Sequence, residues 1–155
     1  MSEIVVQKFG GTSVGTVDRI DSVAEIIKNA SKSNQIVVVV SAMGGETNRL
    51  VDLAKAFGDD PDKREFDALV STGETVSSAL LTMALHSKGI KAKSFSASQI
   101  SMRTTSSYSK AKILDVDAKK ILDVIDSDTI PIITGFQGVT EGGDVTTLGR
   151  GGSDT

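Results

Sequence analysis

The feature that most restricts the fold is Ile36-Val37-Val38-Val39-Val40, five β-branched residues in a row with no polar alternation. β-Branched side chains are stiff at χ1 and suit an extended backbone. A strand with one wet face would alternate apolar and polar residues. An unbroken run has to be covered on both faces, as in a parallel sheet between two layers of helices. Parallel strands need crossover helices, and the flanking sequence supplies them. Upstream, Ile4 to Phe9 forms a second short apolar strand that ends on Gly10-Gly11. Val17, Ile20, Val23, Ala24, Ile27 and Ala30 then recur at three- and four-residue steps, the apolar face of a helix.

Downstream the same grammar repeats. Ser41-Ala42-Met43-Gly44-Gly45-Glu46-Thr47 is a second glycine turn, and Leu50, Leu53, Ala54 and Phe57 mark a short helix after it. Gly58 to Asp62 is a loop. Ser71-Thr72-Gly73-Glu74 leads into a helix carrying Val76, Leu80, Met83 and Ala84, with Gly89 as its C-terminal stop. Residues 92–97 form a strand, and the Ser/Thr-rich stretch 101–112 reads as a polar excursion or lid. Ala118, Ile121, Leu122 and Ile125 give another amphipathic helix. Ile130 to Ile133 is a strand running into Thr134-Gly135-Phe136, and Glu141-Gly142-Gly143-Asp144 is a hairpin tip before a last strand, Val145 to Leu148. The order predicts an α/β fold with a mostly parallel sheet, one domain or part of one.

Composition bounds the function. The chain has 155 residues, enough for about one domain, and a net charge of −3 with both signs interspersed. It offers no basic footprint for nucleic acid, and aromatics at 4% leave few platforms for stacking bases. No stretch approaches the ~20 apolar residues of a membrane span, and the N-terminus lacks a signal-peptide pattern. Cysteine is absent, which excludes disulfides and thiolate metal sites. These traits predict a cytoplasmic protein.

In open α/β sheets ligands sit where strands end and helices begin. Four segments carry unusual residues for such positions. Lys8-Phe9-Gly10-Gly11-Thr12-Ser13 puts a lysine at a strand tip, bares glycine amides and adds hydroxyls at a helix start, all suited to phosphate oxygens. A plain βα turn with a surface lysine is the alternative. Ser41 to Thr47 repeats glycine amides with hydroxyls, and two such turns on neighbouring strands favour an anion site. Glu74 is either a first-turn acid stabilised by the helix dipole or a partner for a substrate ammonium. Arg150, set between glycines, can offer its planar fork to a carboxylate or phosphate, while Ser153 and Asp154 suit helix capping. The lone His86 has no second His or Cys to build a triad or metal site with. Asp59, Asp60 and Asp62 lack the spacing of a cation loop. Tyr108 and its serines read as a polar loop.

Together KFGGTSV, VVVVSAMGGETNRL, STGETVSSALL, TGFQGVT and TTLGRGGSDT resemble the successive signatures of the aspartokinases, within the amino-acid kinase superfamily. The resemblance runs from Val5 to Thr155. It implies an amino-acid-kinase-like (carbamate-kinase-like) sheet with helices on both faces, and transfer of a phosphoryl group from ATP, accompanied by Mg2+, to the β-carboxylate of L-aspartate. That is the first step toward lysine, threonine and methionine. By resemblance Lys8 neutralises charge on the phosphoryl group, aided by Gly10, Gly11, Thr12 and Ser13. Ser41, Ala42, Gly44, Gly45 and Thr47 line the site near aspartate and phosphates. Glu74 holds the α-ammonium and Arg150 the α-carboxylate, Thr72 and Gly73 shape the pocket, and Asp154 orients Lys8 beside Ser153. Residues 1–155 then form the N-terminal, aspartate-binding part of the kinase domain. The nucleotide lobe and ACT-type regulatory domains lie outside it, and the chain alone is expected to be inactive. The full-length family protein is expected to be a homo-oligomer. The competing readings are another superfamily member with a different acceptor, and a non-catalytic module that pairs with a separate nucleotide-binding or regulatory subunit.

Overall fold

The computed structural model describes residues 2–149. At its centre is a four-stranded, all-parallel sheet in the order β1-β2-β6-β3, built from β1 (Ile4–Phe9), β2 (Gln35–Val40), β3 (Ala92–Phe95) and β6 (Ile130–Thr134). The β-branched run is an interior strand, as its pattern requires. Ile36, Val38 and Val40 pack toward α1 (Val17–Ala30) and α4 (Thr72–Ser87), in a core with Ile20, Val23, Ile27, Leu81, Leu85 and Ile132. Val37 points the other way, with Ile133, Ile100 and Ile125, the last on α5 (Ala118–Asp126). Each fully buried side chain of this size contributes about 1.5–3 kcal/mol, so the layered core dominates the stability.

Pro131 in an interior strand obeys the ladder. The Ile130 N–H donates toward β3, to the Lys91 carbonyl at 2.9 Å, so the next position faces β2. Pairing of β6 with β2 begins only at Ile132, and the missing N–H costs no ladder bond. Gly89, at φ +77°, closes α4 as expected. The Gly89 N–H donates to the His86 carbonyl and that of Ile90 to Leu85, both at 3.0 Å, a Schellman arrangement.

Three expectations need correction. Residues 101–112 are not a lid. They lead through β4 (Arg103–Thr104) toward β5 (Ile113–Asp115), in a second sheet of order β5-β4-β7-β8 with β7 (Gln137–Val139) and β8 (Val145–Thr147). Within it the Thr104 and Thr146 hydroxyls share a buried hydrogen bond of 2.6 Å. Tyr108 does more than fill a polar loop: its hydroxyl donates to Asp144 at 3.0 Å, and Asp144 also pairs with Arg64 at 2.8 Å. Phe57, read as part of an apolar helix face, is fully exposed on a 3₁₀ turn (Lys55–Phe57) after α2 (Glu46–Ala54).

The third correction concerns Ser71 to Glu74. The segment does open a helix, with Glu74 in the first turn of α4, but a helix rather than a strand precedes it. A further helix, α3 (Lys63–Val70), runs into α4 through Ser71, whose backbone is itself helical at φ −68°, ψ −16°. The combined run Lys63–Ser87 is long and apolar enough to cross a membrane, yet half of its most apolar window is buried in the protein. It also carries the buried carboxylates Asp67 and Glu74. Asp67 is fully buried on α3 and accepts from the Ser109 and Thr147 N–H groups, each at 2.8 Å, and from both their hydroxyls. One side chain thus pins the second sheet to the helix pair.

Candidate functional site

The site gathers at the carboxyl ends of β1, β2 and β6, where the parallel sheet delivers its turns to one side. β1 and β2 pair along their whole length, Lys8 opposite Val39 and Phe9 opposite Val40, so the two glycine turns leave the sheet together. They then stack backbone on backbone. A Cβ on Gly11 would lie 3.1 Å from the Ala42 carbonyl oxygen, and one on Gly44 would lie 3.3 Å from the Gly11 oxygen. Any side chain there would wedge the turns apart; glycine lets them touch.

From the other side α4 grips the second turn with residues one helical step apart. Ser77 Oγ donates to the Ser41 carbonyl at 2.6 Å. Glu74 Oε1 accepts from the Ala42 N–H at 3.2 Å. Gly73 permits this approach, since a Cβ there would lie 2.8 Å from that of Ala42. Glu74 is only 3% exposed, and its Oε2 has no hydrogen-bond partner among the described residues. Burial pushes its carboxyl up to about 7, against the smaller pull of the backbone N–H groups. Glu74 does sit in the first turn of α4, but α3 abuts that end of the helix, and burial is the largest influence on its carboxyl.

A cavity of about 350 Å³ opens among these groups. Lys8, Gly11, Ser41, Gly44, Gly45, Thr47 and Glu74, all singled out in the sequence, line it together. Thr72 does not: it is exposed, and its hydroxyl turns back to the Leu69 carbonyl at 2.7 Å. Gly10, Thr12 and Ser13 are not among the lining residues. Thr12 and Ser13 sit in a turn, closed by the Ser13 N–H on Gly10, rather than at a helix start. The cap of α1 is Thr16, whose side chain accepts from the Arg19 N–H. Arg150, Ser153 and Asp154 lie outside the described residues.

Sequence reasoning missed Phe136 and Asn48, which also line the cavity. Phe136 follows the β6 tip, and the rule that placed the first two turns at the sheet end would have found it. Its backbone is unusual: φ is +66°, and the Gln137 N–H donates across it to the Gly135 carbonyl at 2.7 Å, a γ-turn of the rare, strained hand. Ser77 was invisible because its role is to hold another residue's backbone.

Residues 3–155 match the amino acid kinase family. An aspartate kinase of Stutzerimonas stutzeri is 54% identical over 153 residues, covering 98% of this chain and 37% of the relative. The crystal structure of Escherichia coli aspartokinase III with lysine and aspartate superposes with a TM-score of 0.87 at 28% identity, over 99% of this chain and 45% of that one. The same enzyme with aspartate and ADP gives 0.86 at 27% identity, over 98% and 45%. The chain spans 37% of the length of the Stutzerimonas stutzeri aspartate kinase and 45% of that of the two crystal structures.

Proposed function

We propose that the chain, which belongs to the amino acid kinase family, is the aspartate-binding part of an aspartate kinase. One observation carries this reading: the buried Glu74 carboxylate, with an oxygen lacking a partner among the described residues, shares a cavity with Lys8 and both glycine turns. Buried polar atoms ordinarily find partners. An ammonium supplies both the missing donor and the charge that favours an ionised Glu74.

In this reading the α-ammonium of L-aspartate meets Glu74, and its side chain extends toward Lys8. A β-carboxylate oxygen attacks the γ-phosphorus of ATP, the bond to the ADP oxygen breaks, and ADP leaves. A carboxylate with an ordinary pKa near 4 is already ionised, so no general base is needed. Positive charge and fixed dipoles are the main requirement. Lys8 and the amides of Gly10, Gly11, Gly44 and Gly45 would supply them, with the hydroxyls of Thr12 and Ser13 beside the phosphates. Ser41 and Thr47 would orient the amino acid, and Gly73 would let α4 close on the Ala42 turn. Arg150 would bind its α-carboxylate, with Ser153 and Asp154 beside it. Nucleotide use is supported by the kinase relatives and by the aspartate and ADP held by one structural neighbour. No cluster of three or more His, Asp or Glu suited to a metal occurs among the described residues. Mg2+ would enter with the nucleotide. A nucleotide lobe and ACT-type domains would lie elsewhere in a longer, homo-oligomeric, cytoplasmic protein of lysine, threonine and methionine biosynthesis.

The test is an amide-detected NMR titration of the chain at pH 8 with L-aspartate and with succinate, which lacks the ammonium. Aspartate is expected to shift the Ala42, Gly44 and Gly45 amides and to bind about tenfold more tightly, the worth of roughly 1.4 kcal/mol. Glu74→Gln is expected to erase that preference. Equal binding of the two ligands to the unaltered chain would sink the assignment.

A further inference from the structure

We propose that Gln137 is a positioning residue for Glu74, its carboxamide holding the α3–α4 elbow against the ends of β3 and β6. The side chain is 4% exposed, and every hydrogen bond it makes crosses between elements. Nε2 donates to the Ser71 carbonyl at 2.5 Å and to Thr75 Oγ1 at 3.2 Å. Oε1 accepts from Thr134 Oγ1 at 2.8 Å, on β6, and from the Ala97 N–H at 3.5 Å, beyond β3. The two groups it holds on the helices, Ser71 and Thr75, bracket Glu74 in the chain.

The backbone around Gln137 argues for the same role. Its own N–H closes the strained turn at Phe136, a cavity-lining residue. A bulky side chain at positive φ persists only where its surroundings over-determine it. Here the Gly135 N–H is tied to the Val40 carbonyl and the Phe136 carbonyl to the Leu148 N–H, both at 2.9 Å. Gln137 thus joins two walls of the cavity: Phe136 through the main chain and, by way of Ser71 and Thr75, the helical turn that carries Glu74. A leucine of similar size would fill the space but hold neither Ser71 nor Thr75. With the elbow released, α4 can lift from the β2 turn and water can reach Glu74 Oε2.

The inference rests on the reading of Glu74 as the ammonium partner, and its test separates the two. The Glu74 side-chain carboxyl is followed by carbon-detected NMR across pH 4–9, without ligand, in the unaltered chain, Gln137→Met and Thr75→Val. Gln137→Met keeps the bulk and removes the amide. Thr75→Val is an exposed change that takes away one acceptor and does not threaten the fold. Ile27→Val, a buried change on α1, controls for lost stability alone. Neighbouring ionisable groups are Lys8 on β1 and Glu46 on α2, the latter paired with Arg49, and none is altered. The Glu74 midpoint is expected to fall by about one pH unit or more in Gln137→Met, by less in Thr75→Val, and to stay put in Ile27→Val. A midpoint unmoved in Thr75→Val, and in Gln137→Met where it folds, overturns the inference. So does an equal fall in Ile27→Val. A fall confined to the Gln137 and Thr75 variants supports it even if aspartate fails to bind, in which case the proposed function alone is lost.

Discussion

Glu74 makes the stability of this chain depend on pH in an unusual direction. Its carboxyl is raised from the ordinary 4.5 to about 7 by burial, so the folded state binds the proton more tightly than the unfolded state. For such a group the stabilisation is fully present below the unfolded value and is lost as pH rises through the folded one. Between about pH 4.5 and pH 8 the chain should therefore lose up to roughly 3 kcal/mol, at about 1.4 kcal/mol per tenfold change in proton affinity. Glu46 and Asp144 shift the opposite way through side-chain hydrogen bonds with Arg49 and Arg64. Their contribution falls away only on acidification below that window. Urea unfolding followed by circular dichroism at pH 5, 6, 7 and 8 gives the profile, and Glu74→Gln, which cannot ionise, is the comparison. The gap in unfolding free energy between the two proteins is expected to close by up to roughly 3 kcal/mol on going from pH 8 to pH 5. If the two profiles run parallel, Glu74 is ionised in the native state at pH 5, and the argument from desolvation is wrong.

Two further outcomes test the framework around the site. Gly138→Ala would put a Cβ 2.2 Å from the Thr104 methyl and 2.8 Å from the Thr146 hydroxyl. A loss of about 3 kcal/mol is expected by thermal unfolding, part of it recovered by adding Thr104→Ser, which removes that methyl. Asp67→Asn would present an amide to N–H groups that now donate to a carboxylate. It is expected to cost on the order of 3 kcal/mol in urea unfolding and to raise hydrogen exchange at Ser109 and Thr147 above that of the parallel sheet.

The β2 run, the crossover helices and the two glycine turns were legible because their signals are local: a side-chain period, a β-branched stretch, a residue without Cβ. From these the parallel sheet follows, and with it the delivery of Lys8 and the Ser41–Thr47 turn to one end. Of the second sheet only the β7–β8 hairpin was legible, from its Glu141–Asp144 tip. The strands of that sheet hold two or three residues each, too few to show a period, and β4 finds β7 only through the fold. Nor did Ser71-Thr72-Gly73 announce a helical elbow, since small polar residues with a glycine resemble a loop in any local reading. Gly73 is there for the closeness of Ala42, a residue 31 positions earlier. The residue types at the site were thus set in the sequence. The burial of Glu74, the strained turn at Phe136 and the reach of Gln137 were decided in three dimensions, because desolvation and hydrogen bonding depend on which distant groups close around an atom.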